Sequence, residues 1–352
     1  MYENDPMKQW LIRLVRLEVV LIFLVILAGS IVRMTGSGMG CPDWPKCFGY
    51  LIPPTERSTL EWESGRNFQK GQMIIREDQL WQAKEDFVSA ANFAPEHWMV
   101  YTKHDYALFD ATHTWIEYLN RLLGALAGLP MLALFLLSLF YWQKNWRYSL
   151  LSAAGLFMLG FEAWLGKLVV DGNLIPGSIT IHMLGALSIV ALLLVFRGLL
   201  WQDRLKVVYF TRRFRSLLVL SLLLTLMQII LGTQVREQID DFVKMGLDRE
   251  IWMEQVNWIF YVHRSFSLLI LALNGWLWWQ NYQRELRFTE LNWVMGLLLV
   301  EILVGVILAY FHLPAWAQPF HLLLGSLILA VQWYALIHLL LGPKNKQVVP
   351  VQ

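Results

Sequence analysis

Cysteine is nearly absent: two residues in 352, at Cys41 and Cys47. A disulfide-rich scaffold and a Cys-rich zinc site are both excluded. Charge is also scarce. Asp, Glu, Lys and Arg make up 16% of the chain, against about 25% in soluble domains. That argues against an ordinary soluble enzyme. A net charge of +2 gives no overall basicity for binding nucleic acid. Low hydrophobicity, the mark of a disordered chain, is missing as well. What the chain has instead is 57% hydrophobic residues, a mean hydropathy of +0.45 and 18 Trp, a residue that collects at membrane interfaces. The class that remains is an integral membrane protein in contact with a lipid bilayer.

A spanning helix needs about 20 mostly apolar residues. Eight such runs occur, at 15–34, 112–141, 149–170, 180–201, 216–236, 257–279, 291–311 and 320–341. The first continues into Arg33 without a small-residue cleavage site, so it is expected to be retained as a span. Residues 1–10 carry acids and are not Arg-rich, which makes a poor transit peptide and favours a bacterial plasma membrane.

Lys and Arg near the span ends set orientation. One side holds Lys8, Arg13, Arg16, Lys144, Arg147, Arg204, Lys206, Arg212, Arg213, Arg215, Arg284, Arg287, Lys344 and Lys346. On the other, loops 171–179 and 312–319 hold none, and loop 237–256 holds Lys244 and Arg249 among six acids. Both termini are expected in the cytoplasm. The long loop 35–111 then faces outward, polar enough to fold partly on its own, with a possible helix over 67–93.

A repeat says more than hydropathy. Trp115-Ile116-Glu117-Tyr118-Leu119-Asn120-Arg121 in span 2 matches Trp258-Ile259-Phe260-Tyr261-Val262-His263-Arg264 in span 6 at four of seven positions. His182 and Gly185 in span 4 answer His321 and Gly325 in span 8. Glu162 precedes His182 by 20 residues, and Glu301 precedes His321 by 20. Gly29 to Arg33 answers Gly232 to Arg236 at an offset of 203, whereas spans 2 and 6 are offset by 143, so the first outer loop is 60 residues longer than its counterpart. The expected fold is all-α, with eight transmembrane helices in two parallel pseudo-repeated four-helix bundles. Their halves are 1–205, with the long loop 35–111, and 206–352.

Ionisable groups inside a span are costly and usually functional. His263 and His321 reach matched depth on two helices of one bundle, as a six-coordinate haem requires. The echo in the first half favours haem over two interfacial histidines bonded to polar neighbours. Zinc fits less well, because no HExxH or Cys-rich spacing exists. Arg33, Arg121, Arg236 and Arg264 recur in matched pairs and are candidates for the haem propionates. Snorkelling to headgroups suits Arg33 and Arg236 well, and for Arg121 and Arg264 propionate pairing and helix-to-helix bonding stand level. Glu162 and Glu301 are read as protonated bridges between helices. Glu117 differs, because its repeat partner is Phe260. This one-sided acid shares a helical face with His113 and Asn120. It is the best catalytic candidate, although pairing with Arg121 at i+4 is the plain alternative.

These residues resemble a known family. Arg33-Met34-Thr35-Gly36-Ser37-Gly38, running into Cys41-Pro42-Asp43-Trp44-Pro45-Lys46-Cys47, is similar to the first-loop signature of the haem A synthase family. Glu117-Tyr118-x-x-Arg121 and Gly232-Thr233-Gln234-Val235-Arg236-Glu237 resemble its second-span and fifth-span motifs. The resemblance implies an inner-membrane oxidoreductase that converts the C8 methyl of haem O to a formyl group through an alcohol, for terminal oxidase assembly. It implies haem b on His263 and His321, substrate haem O on His182 in the first half, Glu117 as the functional acid, and Cys41 with Cys47 as a redox-active, disulfide-forming pair. Implied partners are a haem O synthase that hands over substrate and terminal-oxidase assembly factors; whether the chain forms a homo-oligomer stays open at this point. One departure stands out. The family pattern Glu-x-x-His-Arg reads Glu-x-x-Asn-Arg here, so Asn120 occupies a ligand position, and His113 is the nearby candidate for a sixth ligand. The competing functions are a di-haem b-type electron carrier, which predicts two equivalent sites and no special acid, a haem chaperone, and a transporter with a midplane site.

Overall fold

The structure is a computed structural model and describes residues 5–103, 108–171, 177–205 and 208–343. Lys206, Lys344, Lys346 and most of the loop 171–179, all used in the orientation argument, lie outside the described residues. Every expected apolar run falls in a helix. These are α1 (Pro6–Thr35), α2 (Ala111–Leu139), α3 (Trp142–Asp171), α4 (Ser178–Leu200) and α5 (Arg212–Lys244), then, after the short α6 (Trp252–Gln255), α7 (Trp258–Gln283), α8 (Glu290–Tyr310) and α9 (Ala317–Leu341). Among the described residues, α2, α3, α4, α5, α8 and α9 are each long and apolar enough to cross a membrane. Residues 249–255 and α7, bent by 81° at their junction, together make a seventh candidate. The fold is that of an all-α integral membrane protein. Leu220, Leu223 and Met227 on α5, and Leu299, Leu303 and Val306 on α8, are exposed apolar stripes that a soluble bundle would have to cover.

Capping and local pairs set several helix ends. The Thr211 side chain accepts the Phe214 N–H at 3.1 Å, and Asn257 accepts the Ile259 N–H at 2.8 Å, which starts α5 and α7. α5 does not stop at 236 as expected but continues two turns to Lys244. Arg236 bonds Asp240 at i+4, 2.8 Å away, and Lys244 sits in the last turn, where a cation is favoured.

The chain divides into two compact units. The first comprises Met1–Leu27, Leu126–Glu162 and Ile179–Gln352. Its α1–α4 segments bury Leu11, Val15, Met131, Leu134, Leu193 and Phe196 together. Phe214, Leu218, Leu277, Leu291 and Ala335 form a second cluster from α5, α7, α8 and α9. Apolar burial drives little association in lipid, so polar links gain importance. Fully buried Ser221, Asn274 and Gln332 bond one another at 2.9–3.1 Å, tying α5, α7 and α9.

The second unit comprises Ala28–Ala125 and Ala163–Ser178. The helix expected over 67–93 is not there. The segment forms β1 (Asn67–Phe68), β2 (Met73–Arg76), β3 (Gln79–Ala83) and β4 (Phe87–Val88), with β5 (Trp98–Val100) following. β1 pairs with β4, and β2-β3-β5 make an antiparallel sheet. The reason is a period of two. Met73 and Ile75 pack with Cys41, Cys47 and Leu60, while Ile74 between them packs with Phe68 and Trp98. Glu77 and Asp78, both at positive φ (53° and 57°), make the tight β2–β3 turn.

Candidate functional site

His263 lies in the second turn of α7, and His321 in the second turn of α9. Gln228 of α5 donates to the His263 carbonyl at 2.9 Å and fixes that turn of α7. The two rings stand 6.2 Å apart between centroids, with planes at 83°. Each faces a glycine on a neighbouring helix. A Cβ at Gly232 would lie 3.1 Å from His263 Cε1, and one at Gly305 would lie 3.3 Å from His321 Cε1. His263 Nδ1 is buried and has no hydrogen-bond partner among the described residues. A metal–imidazole bond is about 2 Å. Two such bonds plus the two ring radii come to roughly 6 Å, so the ring separation matches that of two imidazoles on one iron. The donor set suits haem iron as well.

Glu301 of α8 approaches His321: Oε2 is 3.1 Å from Nδ1. The same arrangement recurs between α3 and α4, where Glu162 Oε2 is 2.5 Å from His182 Nδ1. A glycine makes room for each acid. A Cβ at Gly185 would fall 1.7 Å from Glu162 Oε1, and one at Gly325 would fall 3.4 Å from Glu301 Oε1. Each of the acids read as helix bridges lies against a histidine of the next helix. The 20-residue Glu–His spacing was the signal in the sequence.

Within the second unit, Glu117 of α2 is 4% exposed. Its Oε1 accepts from Arg121 Nη2 at 2.5 Å, and its Oε2 accepts the Cys41 N–H at 2.9 Å. Arg121 Nη1 donates to the carbonyls of Asp43 and Lys46, at 2.7 and 3.1 Å. Cys41 and Cys47 are joined by a disulfide. The whole disulfide loop is therefore seated on one turn of α2. Thr114 adds a bond to the Gly40 carbonyl at 2.8 Å. Gly40 is required there, since a Cβ would meet the His113 carbonyl at 2.6 Å. Asp43 Oδ2 accepts the Gly49 N–H at 2.9 Å, while Oδ1 is buried with no hydrogen-bond partner among the described residues. Burial pushes the Asp43 carboxyl above its usual range, partly offset by the Gly49 and Phe48 N–H groups and by Arg121.

Asn120 faces Gly29, whose Cβ would lie 3.8 Å from Oδ1, and that oxygen is buried without a hydrogen-bond partner among the described residues. His113 sits in the first turn of α2, with its N–H on Asp110 at 2.9 Å. Asn120, His113 and Glu117 belong to the second unit, and His182, His263 and His321 to the first. Among the arginines, Arg33 closes the last turn of α1. Arg236 donates to Gln318 and Asp240, at 2.5 and 2.8 Å. Arg264 lies over the rings of Phe260 and Tyr261, at 5.9 and 5.5 Å. The seating of the Cys41–Cys47 loop on Arg121 joins residues more than 70 positions apart and had no local signal in the sequence.

Comparison with known proteins places the chain in a family. A family model described as COX15-CtaA, cytochrome oxidase assembly protein, matches residues 12–88 and 70–333. Heme A synthase of Flavobacterium psychrophilum is 22% identical over 344 residues, covering 90% of this chain and 94% of that protein. Heme A synthase of Flavobacterium johnsoniae is 23% identical, covering 95% and 98%. Heme A synthase of Shewanella oneidensis is 26% identical over 182 residues, 52% of this chain.

Proposed function

Since the chain belongs to the COX15-CtaA family of cytochrome oxidase assembly proteins, we propose that it is a haem A synthase, oxidising the C8 methyl of haem O to a formyl group through an alcohol. The observation that carries the reading is the pair His263 and His321, 6.2 Å apart and each notched into a glycine of the next helix. These two would hold haem b, and His182 would hold the iron of the substrate haem. Haem b supplies a one-electron redox centre whose potential its axial ligands set.

The rest is the work of the chain's own groups. The substrate methyl must lose electrons and protons. Glu117 can hold a proton on Oε1 or Oε2, or stabilise positive charge at the reacting carbon. Arg121 and the Cys41 N–H fix that carboxylate in one orientation. Asn120 is a poor iron ligand, so α2 would offer a substrate haem no strong donor at this position, which would favour admission and release of substrate. Arg33, Arg121, Arg236 and Arg264 are the propionate candidates.

The matched contacts Gly29–Asn120 and Gly232–His263, and Glu162–His182 and Glu301–His321, support two repeated four-helix halves, 1–205 and 206–352. With α1 counted as a span, the reading is eight spans with both termini in the cytoplasm of a bacterium. Partners under this reading are a haem O synthase and terminal-oxidase assembly factors. Expression in a host that makes haem O but no haem A, followed by mass analysis of extracted haems, tests the proposal. Haem A appearing only with this chain is the expected result, and haem O left unchanged overturns it.

A further inference from the structure

We propose that Glu301 is a positioning residue for the iron-ligating nitrogen of His321, and that Glu162 acts in the same way on His182. The proposal rests on the reading of His321 as a haem ligand. Four observations carry it. Each acid reaches the Nδ1 side of its ring, at 3.1 Å for Glu301 and 2.5 Å for Glu162. That leaves Nε2 of the same ring for a metal. Each acid is sheltered, with side-chain exposures of 16% and 8%. A glycine on the histidine's own helix, Gly325 or Gly185, makes space for the carboxylate. The fourth is an asymmetry: among the described residues a carboxylate lies against His321 but none lies against His263 across from it.

A carboxylate that accepts an Nδ1–H fixes the tautomer and ring orientation and makes Nε2 a stronger donor. A stronger donor stabilises the oxidised iron. The two axial ligands of the C-terminal site are therefore unequal, with His321 the strong donor and His263 the weaker one. A helix bridge alone would not require the acid to end on the ring nitrogen in both places.

The test uses full-length protein with its haem, as the parent and as Glu301→Gln and Glu301→Asp. Three readouts are taken: haem b per chain after extraction, the reduction potential, and the low-spin electron paramagnetic resonance signal. Gln keeps the size and an acceptor oxygen but not the charge, so a purely structural role predicts no change. The expected result is haem retained in Glu301→Gln with a raised potential and shifted g-values, and values nearer the parent in Glu301→Asp. Haem retained with potential and signal unchanged overturns the positioning role and leaves the haem site intact. If Glu301→Gln loses haem, a parent-like signal in Glu301→Asp supports the role, and loss in both overturns it. A parent without haem b overturns the underlying ligand reading instead.

Discussion

α2 and α7 carry matching local strings that diverge at three of seven positions, and two of these change the chemistry, Glu117 against Phe260 and Asn120 against His263. Both helices present the second of these positions to a glycine, Gly29 or Gly232, so the backbone setting is common to both. The chemistry is not. On α7 a histidine completes a pair with His321, and Arg264 lies over Phe260 and Tyr261. On α2 an acid replaces the ring, and Arg121 exchanges a cation–π contact for an ion pair and two carbonyls. On the proposed function, one scaffold would serve a two-imidazole site for a resident redox group. The other would serve a site with a buried acid and a weak ligand, for a substrate that must enter, react and leave.

The comparison can be broken most forcibly at the histidines. His263→Ala or His321→Ala should abolish the low-spin b-type absorption. A full spectrum in the double variant would rule out the pair as ligands. Next is the acid. Glu117→Ala should retain haem b yet lower conversion of haem O by on the order of a hundredfold or more. Activity within a few-fold of the parent would make Glu117 only a partner of Arg121. Asn120→His should make α2 resemble α7. A high-spin component of the haem-O-loaded protein should turn low-spin, and product release should slow. A parent that is fully low-spin, and becomes high-spin in His113→Ala, would assign the sixth ligand to His113.

Smaller effects are expected in the disulfide loop. Replacing Cys41 and Cys47 with Ser should cost on the order of 2 kcal/mol, read as a lower melting temperature of the full chain. Lost activity with an unchanged melt would indicate a redox relay rather than a staple. Asp43 gives the smallest and most diagnostic change. Its folded-state carboxyl is raised above the ordinary value of 3.8 by burial. The folded chain therefore binds the proton more readily than the unfolded chain. This group's contribution is fully present below that ordinary value and is lost as pH rises through the raised one. Thermal melts of the parent should decline across that window, and Asp43→Asn should flatten the decline. An unchanged pH profile would mean that Asp43 is solvated.

The helices were legible because lipid demands long apolar runs, and each of the eight runs lies inside a helix but for two end residues at most. The extension of α5 to Lys244 was not, because polar i,i+4 pairs such as Arg236–Asp240 look like loop composition. The sheet over 67–100 was hidden by short strands and by a turn built from Glu77 and Asp78 rather than from glycine or asparagine. Its two faces bury residues as distant as Leu60 and Trp98. For the site, the histidines and Glu117 stood out through the repeat. What lay beyond the sequence was contact at a distance. Nothing near Arg121 announces the carbonyls of Asp43 and Lys46, and the 20-residue spacing of Glu162–His182 and Glu301–His321 marks a relation without giving its geometry.

The division of labour between the two halves is tested most directly by low-temperature electron paramagnetic resonance of purified, haem-O-loaded protein, compared across the parent, His321→Ala and His182→Ala. Two signals are expected in the parent. A low-spin one should vanish only in His321→Ala, and a high-spin or weakly ligated one should vanish only in His182→Ala. A single signal, or two that disappear together in His321→Ala, would contradict separate resident and substrate sites.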